Sequence, residues 1–253
     1  QANLTRKFYG TWNTAPDGLS LFSRMCRLSP APYSAYLRME DAEILSSSPE
    51  LFLKLEDGKI TARPIKGTAP RGSDAVEDAR IRLSLEQSTK DRAENLMITD
   101  LMRNDLARSC VDGSVSVSGL FDVTEHATIF HMASTISGTA SKNATIPGML
   151  KGAFPPGSMT GAPKIRAVEL CNTLEEVERG IYSGAVGWFG GDGALELSVV
   201  IRTLIVQKER FEFQVGGGIV ADSTPAGEWQ ETMDKAAGIL KTLDIPAETI
   251  TSL

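Results

Sequence analysis

Hairpin signals come first in this chain and long helical runs later, with no regular strand–helix–strand alternation, and that order constrains the fold most. From Leu21 to Arg63 the residues read as short strands, YSAYLRM, AEILSS and LFLKL, with Glu56–Lys59 (EDGK) as a tight turn. From Ser88 the period changes. Ser88 with Asp91 three residues on makes a capping-box variant, and RAENLMITDLMRNDLARS is predicted helical until the turn at Asp112–Gly113. A second helix is predicted from near Thr160, with an N-cap hydroxyl and an early proline, to Gly180, behind a rigid FPPGSM loop. GAVGWF, ALELSVVIRTLIV and FEFQVGGGIV, joined by the turns GGDG and QKER, read as a three-strand antiparallel meander. In its middle strand Leu195, Leu197, Val199 and Ile201 share one face, and Glu196, Ser198, Val200 and Arg202 the other. A last helix starts at Thr224-Pro225, and Pro246 prevents its extension. The expected class is α+β.

At 253 residues, 42% hydrophobic, the chain is long enough for one substantial core or two modest ones. No apolar run reaches the eighteen or so residues of a membrane-spanning helix. A net charge of -6 gives no basic field for a phosphate backbone, so neither membrane nor nucleic acid is an expected partner. Cys26, Cys110 and Cys171 are scattered and odd in number, as buried thiols of a cytoplasmic protein are, and no disulfide is expected. The first residue is Gln1 rather than Met, and the expectation is a catalytic domain over 1–253 that is the C-terminal part of a longer chain.

Two predicted helices carry acids three apart, Asp91 with Glu94 and Glu228 with Glu231, so each pair lies on one face. If those faces meet, their oxygens suit a hard cation such as magnesium, completed by an anionic ligand. Helix-surface acids are ordinarily solvated, however, and Lys235 stands one turn from Glu231 as a ready salt-bridge partner. PPGSMTGAPK and GGGIVADS offer backbone amides to an anion, although such glycines are as readily bulges or bends. His131 among apolar neighbours reads as a hydrogen-bonded core residue, and Glu50 as a strand-entrance carboxylate able to serve as a general acid beside a buried ligand. Trp188 reads as a core or interface aromatic.

The segments PIKGTAPRG, AENLMITDLMRNDLAR, FPPGSMTGAPKIRAVEL, GAVGWF, IRTL and GGGIVADSTPAGEWQET, in this order, resemble the catalytic domain of the chorismate-utilising enzymes. That family includes anthranilate, aminodeoxychorismate, isochorismate and salicylate synthases. The resemblance implies two stacked antiparallel sheets flanked by helices, and a Mg2+ ion bridging a chorismate carboxylate to Glu94 and Glu231, with Asp91 and Glu228 behind them. It implies that Gly216, Gly217 and Gly218 hold a substrate carboxylate with Arg202 and Lys235, that His131 is an active-site histidine, and that Ser158 supplies a hydroxyl. Trp188 departs from a tyrosine common in the family, and an indole N–H donates but does not accept.

Between PI and GT the anthranilate synthases resemble one another in having an alanine, and the aminodeoxychorismate synthases in having a lysine, the residue present here as Lys66. The resemblance therefore implies amination of chorismate at C4, with Lys66 adding at C2, Glu50 protonating the departing C4 hydroxyl, and ammonia from a glutaminase subunit or fused domain displacing the lysine. The rivals are another synthase of the family, with Lys66 incidental or an electrostatic clamp, and a catalytically inactive binding or regulatory domain.

Overall fold

A computed structural model describes residues 1–126 and 129–246. Strand β1 (Ala2–Thr11) leads into helix α1 (Gly18–Leu28), and β2 (Tyr33–Arg38), β3 (Glu43–Ser48), β4 (Leu51–Glu56), β5 (Lys59–Arg63) and β6 (Ile65–Pro70) follow. Asp57 and Gly58 have φ of 49° and 73°, the two left-handed residues that a tight hairpin turn between β4 and β5 requires. The strand reading from Leu21 fails at its start. Leu21 and Met25, four apart, are buried on one face of α1, and Asp17 caps that helix by accepting from the Ser20 N–H.

Helix α2 (Ala75–Gln87) has no counterpart in the sequence reading: it buries only Leu85, so no apolar stripe announces it, and Asp74 caps it. Helix α3 (Thr89–Ala107) starts where Ser88 was expected to cap it, the Ser88 hydroxyl accepting from the Asp91 N–H, but it ends five residues short of Asp112. Next come β7 (Ser116–Glu125), β8 (Ile129–Thr139), α4 (Ile146–Ala153), the single turn α5 (Gly157–Thr160) and α6 (Lys164–Leu174). Thr160 thus closes one helical turn instead of capping a long helix, because Gly161 at φ 122° breaks the path. The chain finishes with β9 (Ala185–Phe189), β10 (Leu195–Val199), β11 (Thr203–Gln207), β12 (Arg210–Ile219) and α7 (Pro225–Leu243). Thr224 caps α7 at one end and left-handed Asp244 closes the other.

The strands form two sheets, one in the order β1-β12-β11-β3-β2, the other β6-β8-β5-β4-β10-β9 with β7 also on β8. Every pairing is antiparallel. The first sheet buries Leu45, Leu204, Phe213 and Val215 against α1 and α7, and the second buries Phe52, Ile136 and Leu197 against α3 and α4. The α+β expectation of two antiparallel sheets flanked by helices holds. The three-strand meander does not: its middle segment is two strands, with β10 in the second sheet and β11 in the first. The chain turns between them at Arg202, whose φ is 48°. Strands β3 and β4 make the same crossing at Pro49-Glu50, alongside β11 and β10. Backbone hydrogen bonds run through the bend, from Val199 N–H to the Glu50 carbonyl (3.0 Å) and from Ser47 N–H to the Arg202 carbonyl (3.1 Å). A pair of strands therefore changes sheets together, which makes a corner. Glu50 and Arg202 sit on it.

Candidate active site

Beside the corner lies a cavity of about 450 Å³ whose walls come from both sheets and from α3, α5 and α7. The second sheet brings Lys66 on β6 and His131 on β8, the first brings Gly216 on β12, and the helices bring Glu94, Ser158, Glu231 and Lys235. These residues are scattered along the chain, and the fold gathers them at one place.

Glu50 is only 4% exposed, unlike the solvated turn residue its position suggests. Burial raises its pKa to about 7, although the Ser158 hydroxyl, donating to it at 2.5 Å, and the Lys66 charge both favour the ionised form. A carboxyl so poised carries a proton near neutrality and can give it up. Lys66 is shifted the opposite way: burial, then the charge of Lys235, holds its ammonium below the usual lysine range, against the pull of Glu94, Glu50 and Glu231. Its Nζ lies 3.4 Å from the Asn3 amide oxygen.

The two acid-bearing helix faces do meet. Burial raises Glu94, with Glu231 and Asp91 adding repulsion and Lys66 and Lys90 opposing. Glu231 is also raised by burial but falls below its ordinary value overall, because Lys235 Nζ contacts it at 2.6 Å. The salt bridge foreseen from spacing is present, and Lys235 also donates to the Gly216 carbonyl at 2.8 Å. Lys90 Nζ spans the gap between the helices, 3.9 Å from Glu94 and 3.8 Å from Glu228. Asp91 is held by Ser88 at the start of α3.

Among the described residues no three His, Cys, Asp or Glu side chains converge tightly enough to be a ready-made metal cage. The donor chemistry nevertheless fits magnesium. Glu228 receives the Ser223 hydroxyl on Oε1 at 2.6 Å while its Oε2 is buried without a hydrogen-bond partner, an orphaned anionic oxygen beside Glu231. One or two carboxylates completed by water and substrate oxygens is the arrangement magnesium accepts.

The three glycines differ in what they allow. A Cβ on Gly216 would lie 1.9 Å from the Leu4 carbonyl oxygen of β1, so its bareness serves the sheet. A Cβ on Gly217 would meet Glu228 Oε2 at 2.9 Å and Glu231 Oε1 at 3.5 Å, so its bareness serves the acids. A Cβ on Gly218 would stand 3.3 Å from Lys66 Nζ. Gly216→Ala is therefore expected to lower unfolding free energy by at least about 2 kcal/mol in denaturant titration. Gly217→Ala is expected to melt near the parent temperature but to need about 10–100-fold more magnesium for activity.

His131 is 1% exposed and neutral: burial, then Arg202, lowers its pKa to about 2. Arg202 Nη2 donates to its Nε2 at 3.1 Å, which leaves the proton on Nδ1, a buried atom with no partner. His131 is thus a brace for Arg202 at the cavity wall. Burial lowers Arg202 itself to about 10.

Gly217, Gly218 and Glu228 lie just behind the cavity lining, against Glu231, Lys66 and Lys90, whereas Trp188 lies away from it. It is 51% exposed on β9, an edge strand, and is absent from the cavity lining. The phenol at the cavity is Tyr182, six residues earlier, 7% exposed and pushed up to about 12 by burial. Sequence reasoning also missed Asn3, Lys90 and Gln214, all of which line the cavity. Lys90 was accessible from its i,i+4 spacing to Glu94, whereas a lone Asn or Gln in a strand carries no signal of its own.

The chain matches the family model described as chorismate binding enzyme over residues 1–241. It is 44% identical over 244 residues to aminodeoxychorismate synthase component 1 of Salmonella typhimurium, covering 96% of this chain and 53% of that protein. It is 46% identical over 228 residues to aminodeoxychorismate synthase of Streptomyces pristinaespiralis, covering 90% of this chain and 32% of that one. The chain thus spans 32% and 53% of the length of these relatives. Anthranilate synthase component I from Streptococcus pneumoniae superposes with a TM-score of 0.83 at 31% identity, over 93% of this chain and 52% of that one. With its two antiparallel sheets meeting at this cavity, the chain belongs to the chorismate binding enzyme family.

Proposed function

We propose that this chain is the catalytic part of a longer aminodeoxychorismate synthase, aminating chorismate at C4 to 4-amino-4-deoxychorismate with ammonia from a glutaminase partner. The observation that carries the reading is the Lys66 amine inside the cavity, on the side where Glu50 holds a transferable proton. Its support from relatives is that those at 44% and 46% identity are named for that activity. We place the enzyme in the cytoplasm; among the described residues no helix is long and apolar enough to cross a membrane.

Glu94 and Glu231 would hold magnesium, which when bound would supply positive charge to a substrate carboxylate. Gly217 leaves room beside Glu231 and Glu228, and Arg202 and Lys235 add cationic partners. Lys66 as the free amine adds at C2, the ring double bonds shift, and the C4 hydroxyl leaves as water with the Glu50 proton. Ammonia then adds at C4, the double bonds shift back, and the C2–N bond breaks with its electron pair returning to Lys66. The new ammonium gives its surplus proton to Glu50, which restores both groups.

Incubation of the full polypeptide with chorismate, magnesium and ammonium, followed by mass and fluorescence analysis, tests the assignment. The expected product retains the enolpyruvyl group. Direct release of fluorescent anthranilate refutes it in favour of the anthranilate synthase reading.

A further inference from the structure

Five buried side-chain atoms among the described residues lack hydrogen-bond partners, on Gln1, Asn3, His131, Gln214 and Glu228. All belong to residues that line the cavity or touch its lining. Such atoms are costly to bury unless something completes them, and their gathering at one cavity marks where a polar ligand is expected. Asn3 differs from the others because its second polar atom faces the proposed nucleophile. Its Oδ1 accepts from Lys66 Nζ at 3.4 Å while its Nδ2 is the orphan. An ammonium has only donors, so the amide oxygen is the atom that faces it.

The rest of Asn3 is clamped. Its carbonyl accepts from Arg179 Nη2 at 2.7 Å and from the Cys171 thiol at 3.3 Å. Arg179 is ion-paired with Glu175 at 2.5 Å, and the Glu175 carboxylate takes the Thr5 N–H two residues further along the strand. Across the sheet Asn3 pairs with Gly218, where a Cβ would run into the Gln1 amide nitrogen at 2.1 Å and stand 3.3 Å from Lys66 Nζ. Asn3 is 3% exposed, so this seat is buried against the cavity wall.

We propose that Asn3 is a positioning residue that aims the Lys66 amine at the ring, its Oδ1 holding one N–H and its Nδ2 completed by an oxygen of the bound substrate. The proposal rests on the reading of Lys66 as the nucleophile. A neutral amide is the suitable holder: it fixes the amine by one N–H, leaves the lone pair free, and adds no negative charge to that already supplied by Glu50, Glu94 and Glu231, against which Lys235 acts. A carboxylate in its place keeps the geometry and retains the proton.

The test compares Asn3→Asp and Asn3→Ala with the parent in the full polypeptide, supplied with chorismate, magnesium and ammonium. Asn3→Asp is expected to lower kcat for C4 amination about 10²-fold, with a smaller change in chorismate KM. It is also expected to slow acylation of Lys66 by a small amine-directed reagent, read by peptide mass without turnover. Asn3→Ala, which guards against a folding defect in the aspartate variant, is expected to lower kcat by about 10-fold or more. Parent kcat in either folded variant overturns the proposal, as does a kcat loss in Asn3→Asp with Lys66 acylated at the parent rate. If Lys66→Ala still aminates chorismate, the nucleophile reading itself has failed; if it is inactive while both Asn3 variants are normal, only the role of Asn3 falls.

Discussion

Lys66→Ala is expected to reduce C4 amination of chorismate to the rate of the unassisted mixture, the largest effect of any single substitution in this site. The alanine removes the amine that lines the cavity together with Glu50, so no adduct at C2 forms. Lys66→Arg separates this role from that of a charge clamp. A guanidinium keeps the positive charge but has no free electron pair near neutral pH, so it too is expected to be inactive. The measurement is product formation by mass at saturating ammonium. Parent activity in the alanine variant removes the nucleophile, and substantial activity in the arginine variant points to the clamp.

Glu50→Gln is expected to move activity and stability in opposite directions. Loss of the proton donor lowers the rate by about 10²–10⁴-fold. The same change relieves a burial cost. The folded-state pKa of Glu50 is about 7 against 4.5 for a free glutamate, so the folded chain binds the extra proton between those values. Its contribution to stability is therefore most favourable below about pH 4.5 and declines as pH rises to about 7. Above that, holding a carboxylate in the dry corner costs up to roughly 3 kcal/mol. Glutamine keeps an oxygen for the Ser158 hydroxyl and carries no charge. The variant is expected to melt several degrees above the parent at about pH 8 and level with it at about pH 4.5. A variant less stable than the parent at the higher pH contradicts the buried, proton-holding carboxyl. The site is thus kept at the expense of the fold.

Much of this was legible in the residues, and where it was not the cause is physical. The hairpin at Glu56–Lys59 and the caps at Ser88 and Thr224 are local events that neighbours in the chain dictate, and each lies where the sequence put it. The corner is not local. Apolar alternation from Leu195 to Val199 passes into Ile201 without a gap, glycine or proline, so nothing nearby shows that the next residues join another sheet. Arg202 is driven into left-handed backbone by tertiary pairing on both sides rather than by its own preference. In the site, i,i+3 spacing identifies which acids share a face but not that Lys90 reaches from one helix to the other. Trp188 and Tyr182 lie six residues apart in a stretch that is aromatic, glycine-rich and turning, and only the path of the backbone tells which of them enters the cavity.

The corner has a consequence for how activity is gained as the chain folds. The amine belongs to one sheet, the glycine cradle and Asn3 belong to the other, and the proton donor sits on the corner between them. A partly folded species that keeps either sheet alone holds half a reaction. Hydrogen exchange at the Ser47 and Val199 amides, whose partners are the Arg202 and Glu50 carbonyls, is therefore expected to report catalytic competence more faithfully than the helical signal.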